Sequence, residues 1–257
     1  MTNLFQHPNT VSGLDVENDV VVTASFDGVV RVIGPTGNVL SAQKVGSQIS
    51  AVAIRNGVVA TDTDQSILKE GVAITAEGQV IRGSDFSSTI RITDISRSGR
   101  YGVGIDYLCR DRLTGHAWQV IPLGVKWPLG VEEIANGNIV TVGEDGWLRE
   151  WTPEGRHVSG VLIASNGVRS VETNADKTRL VVSCTERDSM QVRVIDKDGR
   201  TYATARLNSL AHDAAFLSHD RVVIGTHLGE LLVWNGTDEV QSAPVSSTPV
   251  SKPGKRK

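Results

Sequence analysis

The sequence predicts an all-β fold, a single β-propeller of about six four-stranded blades, or seven. Three observations lead there. A polar turn ending in glycine recurs after an apolar run, at Gly37, Gly78, Gly115, Gly155, Gly199 and Gly236, so successive glycines lie 41, 37, 40, 44 and 37 residues apart. A period of about 40 residues is the length of one propeller blade. Within each period, short β-branched runs alternate with tight-turn residues, and no unit carries helical periodicity over about 11 residues or more.

In the first unit, Gly13-Leu14-Asp15-Val16 is a short apolar segment and Val20 to Ser25 a β-branched one. Asp27-Gly28 then makes a two-residue hairpin, since both types tolerate positive φ. Val29 to Ile33, the Gly37 turn and Val39 to Val45 complete four strands, a to d from the axis outward. Unit two is irregular, with Val58-Val59-Ala60, a polar loop from Thr61 to Glu70, and Gly71 to Ile74 as strand c. Unit four repeats the first with Ile139 to Gly143, Asp145-Gly146 and Trp147 to Trp151. Unit six does so with Val222 to Gly225, Leu228-Gly229 and Glu230 to Trp234. The blades run over about 11–46, 47–87, 88–127, 128–165, 166–208 and 209–243, as one domain over 1–243, followed by a flexible basic tail over 244–257.

Four places resemble the WD-repeat family. Ser96 to Tyr101 and Asn174 to Ser183 look like its a–b turn, and Trp151-Thr152 and Trp234-Asn235 stand where its Trp-Asp pair closes strand c. The resemblance covers roughly residues 11–243 and departs from the family in that its His–Ser–Asp–Trp set is incomplete in every unit. It implies a ring whose sheets bury each other's faces, with partners docking on the rim formed by the b–c and d–a loops. Either Asn3 to Thr10 or Glu239 to Ala243 supplies the outer strand of the last blade.

Hydrophobic residues at 39%, charged residues at 21% and a net charge of −3 are ordinary for a globular chain and point to no polyanion or membrane partner. No apolar run of about 18 residues and no secretory leader is present, so a cytoplasmic location is expected, with Cys109 and Cys184 free. No Gly-x-Ser-x-Gly nucleophile turn and no phosphate-cradling loop occurs. His212, His219 and His227 cluster in sequence, but His219 falls at the a–b turn and the other two on the opposite side, which leaves two ligands. No catalytic residue, metal or cofactor is assigned. Glu132 and Glu133, adjacent in a strand, point to opposite faces, one of them into a hydrated channel.

The expected function is a non-catalytic protein-interaction scaffold, with partners on the top face and channel mouth. Asp27, Asp106, Asp145 and Asp188 fall in the b–c turns. Asp suits a tight turn by satisfying local donors, and together the four would form an acidic ring favouring a basic segment of a protein partner. Tyr107, Trp147 and His227 lie beside these turns and complete the expected docking surface, or Tyr107 and Trp147 pack between blades. Trp118, Trp127, Trp151 and Trp234 read as packing residues. Lys252, Lys255, Arg256 and Lys257 make the tail either a solvated terminus or a basic arm, the only route to nucleic acid. Two further readings are a structural subunit of a multi-copy assembly such as a virion, and a cation-dependent propeller hydrolase.

Overall fold

A computed structural model describes residues 1–46, 48–62, 71–75, 78–82, 92–104, 107–110, 119–122, 127–187, 189–236 and 240–241. Among them the regular structure is β, apart from one 3₁₀ turn at Ser218–Asp220. The N-terminal strand β1 (Thr2–Gln6) belongs to the last sheet. The strands β2 (Val11–Glu17), β3 (Val20–Ser25), β4 (Val29–Ile33) and β5 (Val39–Lys44) form the first blade. Two two-stranded sheets follow, β6 (Val52–Arg55) with β7 (Val58–Thr61), and β8 (Val72–Ile74) with β9 (Val80–Arg82). The next blade is β10 (Ile92–Ile95), β11 (Tyr101–Gly104), β12 (Tyr107–Arg110) and β13 (Gln119–Pro122). After it comes β14 (Pro128–Glu133), β15 (Ile139–Gly143), β16 (Trp147–Trp151) and β17 (His157–Leu162). A further blade is β18 (Val168–Thr173), β19 (Leu180–Glu186), β20 (Ser189–Ile195) and β21 (Thr201–Leu207). The last sheet joins β22 (Ala211–Phe216), β23 (Val222–Thr226) and β24 (Glu230–Trp234) to β1, and β25 (Val240–Gln241) lies parallel against the outer edge of β21.

The fold is therefore an all-β propeller of four-stranded sheets, with five complete blades among the described residues rather than six or seven. The difference lies in unit two. Strand β8, expected to pair with β7 as strand c, instead pairs with β9 and packs beside β6, β7 and β10. Its flanking Gly71 N–H donates to the Ile92 carbonyl at 3.2 Å, and a Cβ on Gly71 would lie 2.8 Å from backbone of Asp94. The marker glycines show the same break. Gly37, Gly155 and Gly199 sit at the c–d corner, Gly236 follows strand c of the last blade, and Gly78 sits in the β8–β9 turn.

Ring closure uses β1, which pairs antiparallel with β24 and settles the choice between the two termini. The C-terminal segment, displaced from that position, supplies β25 to the neighbouring blade instead. Apolar residues from facing sheets form the core, as where Val181, Val192 and Val194 meet Ala214, Ile224 and Trp234. Trp151 and Trp234 are buried packing residues as expected. The Trp151 indole N–H donates to Thr141 Oγ1 at 2.8 Å, whereas that of Trp234 has no acceptor among the described residues. Trp127 is 47% exposed, against expectation, because it precedes β14 in a left-handed turn (φ 54°) that turns its ring outward from the sheet. Trp118 lies outside the described residues.

Candidate functional site: the central channel and its mouth on the a–b face

The innermost strands run along the axis without pairing to one another, so their N–H groups need other acceptors. Carboxylates supply them. Asp213 accepts the Leu14 N–H at 3.2 Å, Asp15 the Ile54 N–H at 2.8 Å, and Asp94 the Val131 N–H at 3.0 Å. Each bond ties one inner strand to the next. Two further carboxylates bind backbone of the second unit: Glu17 receives the Asn56 and Gly57 N–H groups at 2.6 and 3.0 Å, and Asp62 receives those of Ser50 and Ala51 at 3.2 and 3.1 Å.

The placement follows from a repeated irregularity. In all five complete blades the a–b ladder shifts register near the start of strand a, between Val11 and Gly13, Ile92 and Asp94, Pro128 and Gly130, Val168 and Ser170, and Ala211 and Asp213. Such a bulge re-aims the side chains after it. Asp94 and Asp213 occupy the residue just past the shift, and Asp15, Glu132 and Glu172 lie two residues further on, so the five acids form two tiers.

One guanidinium answers them. Arg97, from the β10–β11 turn, reaches across to the Val16 carbonyl of the first blade through Nη2, while its backbone N–H donates to Glu132 at 3.0 Å. The surrounding carboxylates stabilise its cation against burial. The acids themselves are pushed up. Burial raises Asp15 despite the nearby Arg97, burial raises Glu132, and burial together with the neighbouring Glu132 raises Glu172. Asp15, Glu132 and Glu172 therefore hold protons at pH values where exposed carboxylates have lost them. Glu133 points the other way, as expected for a neighbour in a strand, and meets Ser98 at 2.9 Å and Lys177 at 3.0 Å.

Inside the ring the channel encloses about 40 Å³, lined by Asp15, Arg55, Asp94, Arg97, Glu172 and Asp213 together with Ala51 and Ala53. It opens on the a–b face into a cavity of about 640 Å³ walled by the turns of four sheets, with Asn18, Asp19, Arg55, Arg97, Asn174 and Lys177 among its polar residues.

The expected docking residues belong to the other face, where Asp27 and Asp145 sit in the b–c turns between β3 and β4 and between β15 and β16. Asp27 forms a 2.7 Å ion pair with Arg31 and Asp145 one of 2.7 Å with Arg149, so each negative charge is offset in place. Both also cap the strand that follows, through the Val29 and Trp147 N–H groups at 2.9 and 3.2 Å. Trp147 is 38% exposed, with the Arg149 guanidinium over its ring at 5.5 Å. Tyr107 is half-buried at the start of β12. His227 is exposed, and its Nδ1 lies 3.4 Å from His212 Nε2. Among the described residues no group of three or more ligating side chains could hold a metal ion. Asp106, Asp188 and the tail residues Lys252, Lys255, Arg256 and Lys257 lie outside the described residues.

His7, which sequence reading passed over, locks the closing seam. It is 2% exposed, its Nδ1 lies 3.3 Å from Arg31 Nη1, and its backbone N–H donates to Gly229 at 2.8 Å. Burial, with Arg31 adding to it, lowers its pKa to about 4 against a smaller upward pull from Asp27. The inner-strand acids were also missed, apart from Glu132. Their signal was an acid inside each apolar strand-a segment, in Leu14-Asp15-Val16, Thr93-Asp94-Ile95, Val131-Glu132, Val171-Glu172 and Asp213-Ala214.

These features define a β-propeller with a carboxyl-lined channel. No family model matches the chain, and no curated protein matches it. No helix among the described residues is long and apolar enough to cross a membrane.

Proposed function

We propose that this chain is a WD-like propeller that serves as a cytoplasmic protein-interaction scaffold, with its principal docking site at the a–b mouth of the channel. The observation that carries this reading is the 640 Å³ polar cavity at that mouth, walled by turns from four sheets. Its walls are held by bonds between blades, including Ser218 N–H to Asp19 at 2.7 Å, so the cavity is pre-organised for a protruding group. The channel carboxylates that accept backbone N–H groups of neighbouring strands support a structural rather than an acid–base role.

The test is affinity capture with the intact chain, Ala175→Trp to fill the mouth, and Trp147→Ala on the opposite face. A partner kept by Trp147→Ala and lost by Ala175→Trp is expected. The reverse pattern moves docking to the b–c face, and small-molecule turnover by the purified protein removes the scaffold reading.

A second reading, a subunit of a multi-copy assembly, draws on the outer strands β5 and β17. Val39, Leu40, Val158 and Leu162 are exposed there, along sheet edges open to lateral contact. Concentration-dependent self-association lost in Leu40→Lys would favour it. A chain that stays monomeric at high concentration would count against it.

A further inference from the structure

We infer that the a–b mouth binds an oxyanion, a carboxylate or phosphoryl group presented by a protein partner, on the guanidinium of Arg55. This rests on the proposed docking role of the mouth and names the chemistry that it recognises.

The inference comes from counting donors against acceptors in the cavity wall. Three cations line it, Arg55, Arg97 and Lys177, with two acids, Asp19 and Glu132. Two of the cations are engaged. Lys177 lies 3.0 Å from Glu133, and Arg97 donates to the Val16 carbonyl among the channel carboxylates. Both acids are engaged as well. Asp19 receives the Ser218 N–H at 2.7 Å and pairs with Arg221 at 3.4 Å. Glu132 is 2% exposed and accepts the Arg97 and Glu133 N–H groups at 3.0 and 3.3 Å.

Arg55 is what remains. It ends β6, half-buried, and lines both the mouth and the channel. The carboxylate whose charge acts on it, Glu17, receives the Asn56 and Gly57 N–H groups and makes no hydrogen bond to the guanidinium. The guanidinium of Arg55 donates to no acceptor among the described residues. Asn174, across the cavity, accepts the Thr178 and Arg179 N–H groups at 3.0 and 2.9 Å and bonds the Asp176 carboxylate, so it offers the ligand no competing acceptor. A half-buried wall with donors in surplus selects an acceptor-rich group, and a guanidinium fork matches the two oxygens of a carboxylate or phosphoryl group.

The test is fluorescence anisotropy on the full chain with three labelled peptides of equal length, one rich in glutamate, one carrying phosphoserine and one rich in lysine. Binding of an acidic peptide is expected, weakened by at least about tenfold in Arg55→Met and by less in Arg55→Lys. Which of the glutamate and phosphoserine peptides binds more tightly separates the two sources, and inorganic phosphate, competing for the same guanidinium, should displace whichever binds. Arg55 bonds to none of the described residues, so Arg55→Met should keep the melting temperature and circular dichroism of the parent. Preference for the lysine peptide, equal binding by Arg55→Met, or no binding of either anionic peptide overturns the inference. If in addition Ala175→Trp still captures the partner, the docking reading falls too; loss of capture in Ala175→Trp leaves that reading standing.

Discussion

The ring has two kinds of wall. From β10 round to β5 it is built of four-stranded sheets that bury Val, Ile, Leu and Trp against one another. Between β2 and β10 lie two sheets of two described strands each, whose buried clusters are smaller and mix Ala51, Ala53, Ala60 and Ala73 with Val72, Ile74 and Ile81. The complete blades are held by area removed from water. The short arc leans more on directed bonds, which its backbone N–H groups donate to Asp15, Glu17 and Asp62. It is spanned by Arg97 reaching from the β10–β11 turn to Val16. Packing closes most of this ring, and side-chain hydrogen bonds close the rest.

Glycine separates the two walls most sharply. Gly146 (φ 78°) stands in a complete blade, where a Cβ would lie 1.9 Å from the Ala164 carbonyl oxygen, and Gly57 (φ 72°) stands in the arc with nothing within 4 Å. Left-handed strain is common to both, and the backbone clash belongs to one. Denaturant unfolding should show Gly146→Ala losing roughly 4 kcal/mol and Gly57→Ala about 1 kcal/mol. Equal losses would mean that the blades yield as easily as the arc.

The brace comes next. Arg97→Met leaves the channel acids without their guanidinium and the arc without its strut, at roughly 3 kcal/mol. Adding Glu172→Gln should recover part of that loss, a coupling that calorimetry on the single and double variants would measure. Strict additivity would place Arg97 outside the carboxyl network.

Acid attacks the closing seam between the last sheet and the first blade. His7 holds a pKa of about 4 in the fold against 6.5 when free. Between those values the unfolded chain binds a proton that the folded chain refuses, so stability falls as pH drops from 6.5 toward 4, by on the order of 2 to 3 kcal/mol. His7→Gln should flatten that limb in melts taken across the range. An unchanged slope would place the acid sensitivity elsewhere.

The smallest effect has the opposite sign. Glu172 accepts no hydrogen bond from the described residues, and its raised pKa means that ionisation opposes folding. The folded chain retains its proton above the ordinary carboxylate range, so stability declines as pH rises through that window. Glu172→Gln should therefore stabilise the protein by about 1 kcal/mol at alkaline pH and leave acid stability unaltered. A loss at alkaline pH would show the ionised carboxylate to be supportive.

Much of the ring was legible in particular residues. Asp27-Gly28 and Asp145-Gly146 are the hairpin turns that the sequence announces, with both glycines at positive φ. The Trp151 and Trp234 positions are buried as a strand c closing on its neighbour requires. Unit two was misread because Val72-Ala73-Ile74 has the same local character as an inner or an outer strand, and only its pairing with β9 and its packing against β6, β7 and β10 decide which it is. The channel site escaped for a related reason. A single acid in a short apolar strand looks incidental until five such strands converge.

Local chemistry by itself determined the strands, the turns and the all-β class, because alternation of residue types and the left-handed tolerance of glycine act within a few bonds of the chain. The number of complete blades, the closure by β1 and the raised pKa values of Asp15, Glu132 and Glu172 were decided by the tertiary structure. They depend on which inner strands stand side by side and on how much water those neighbours exclude, and both are set by contacts between residues far apart in the chain.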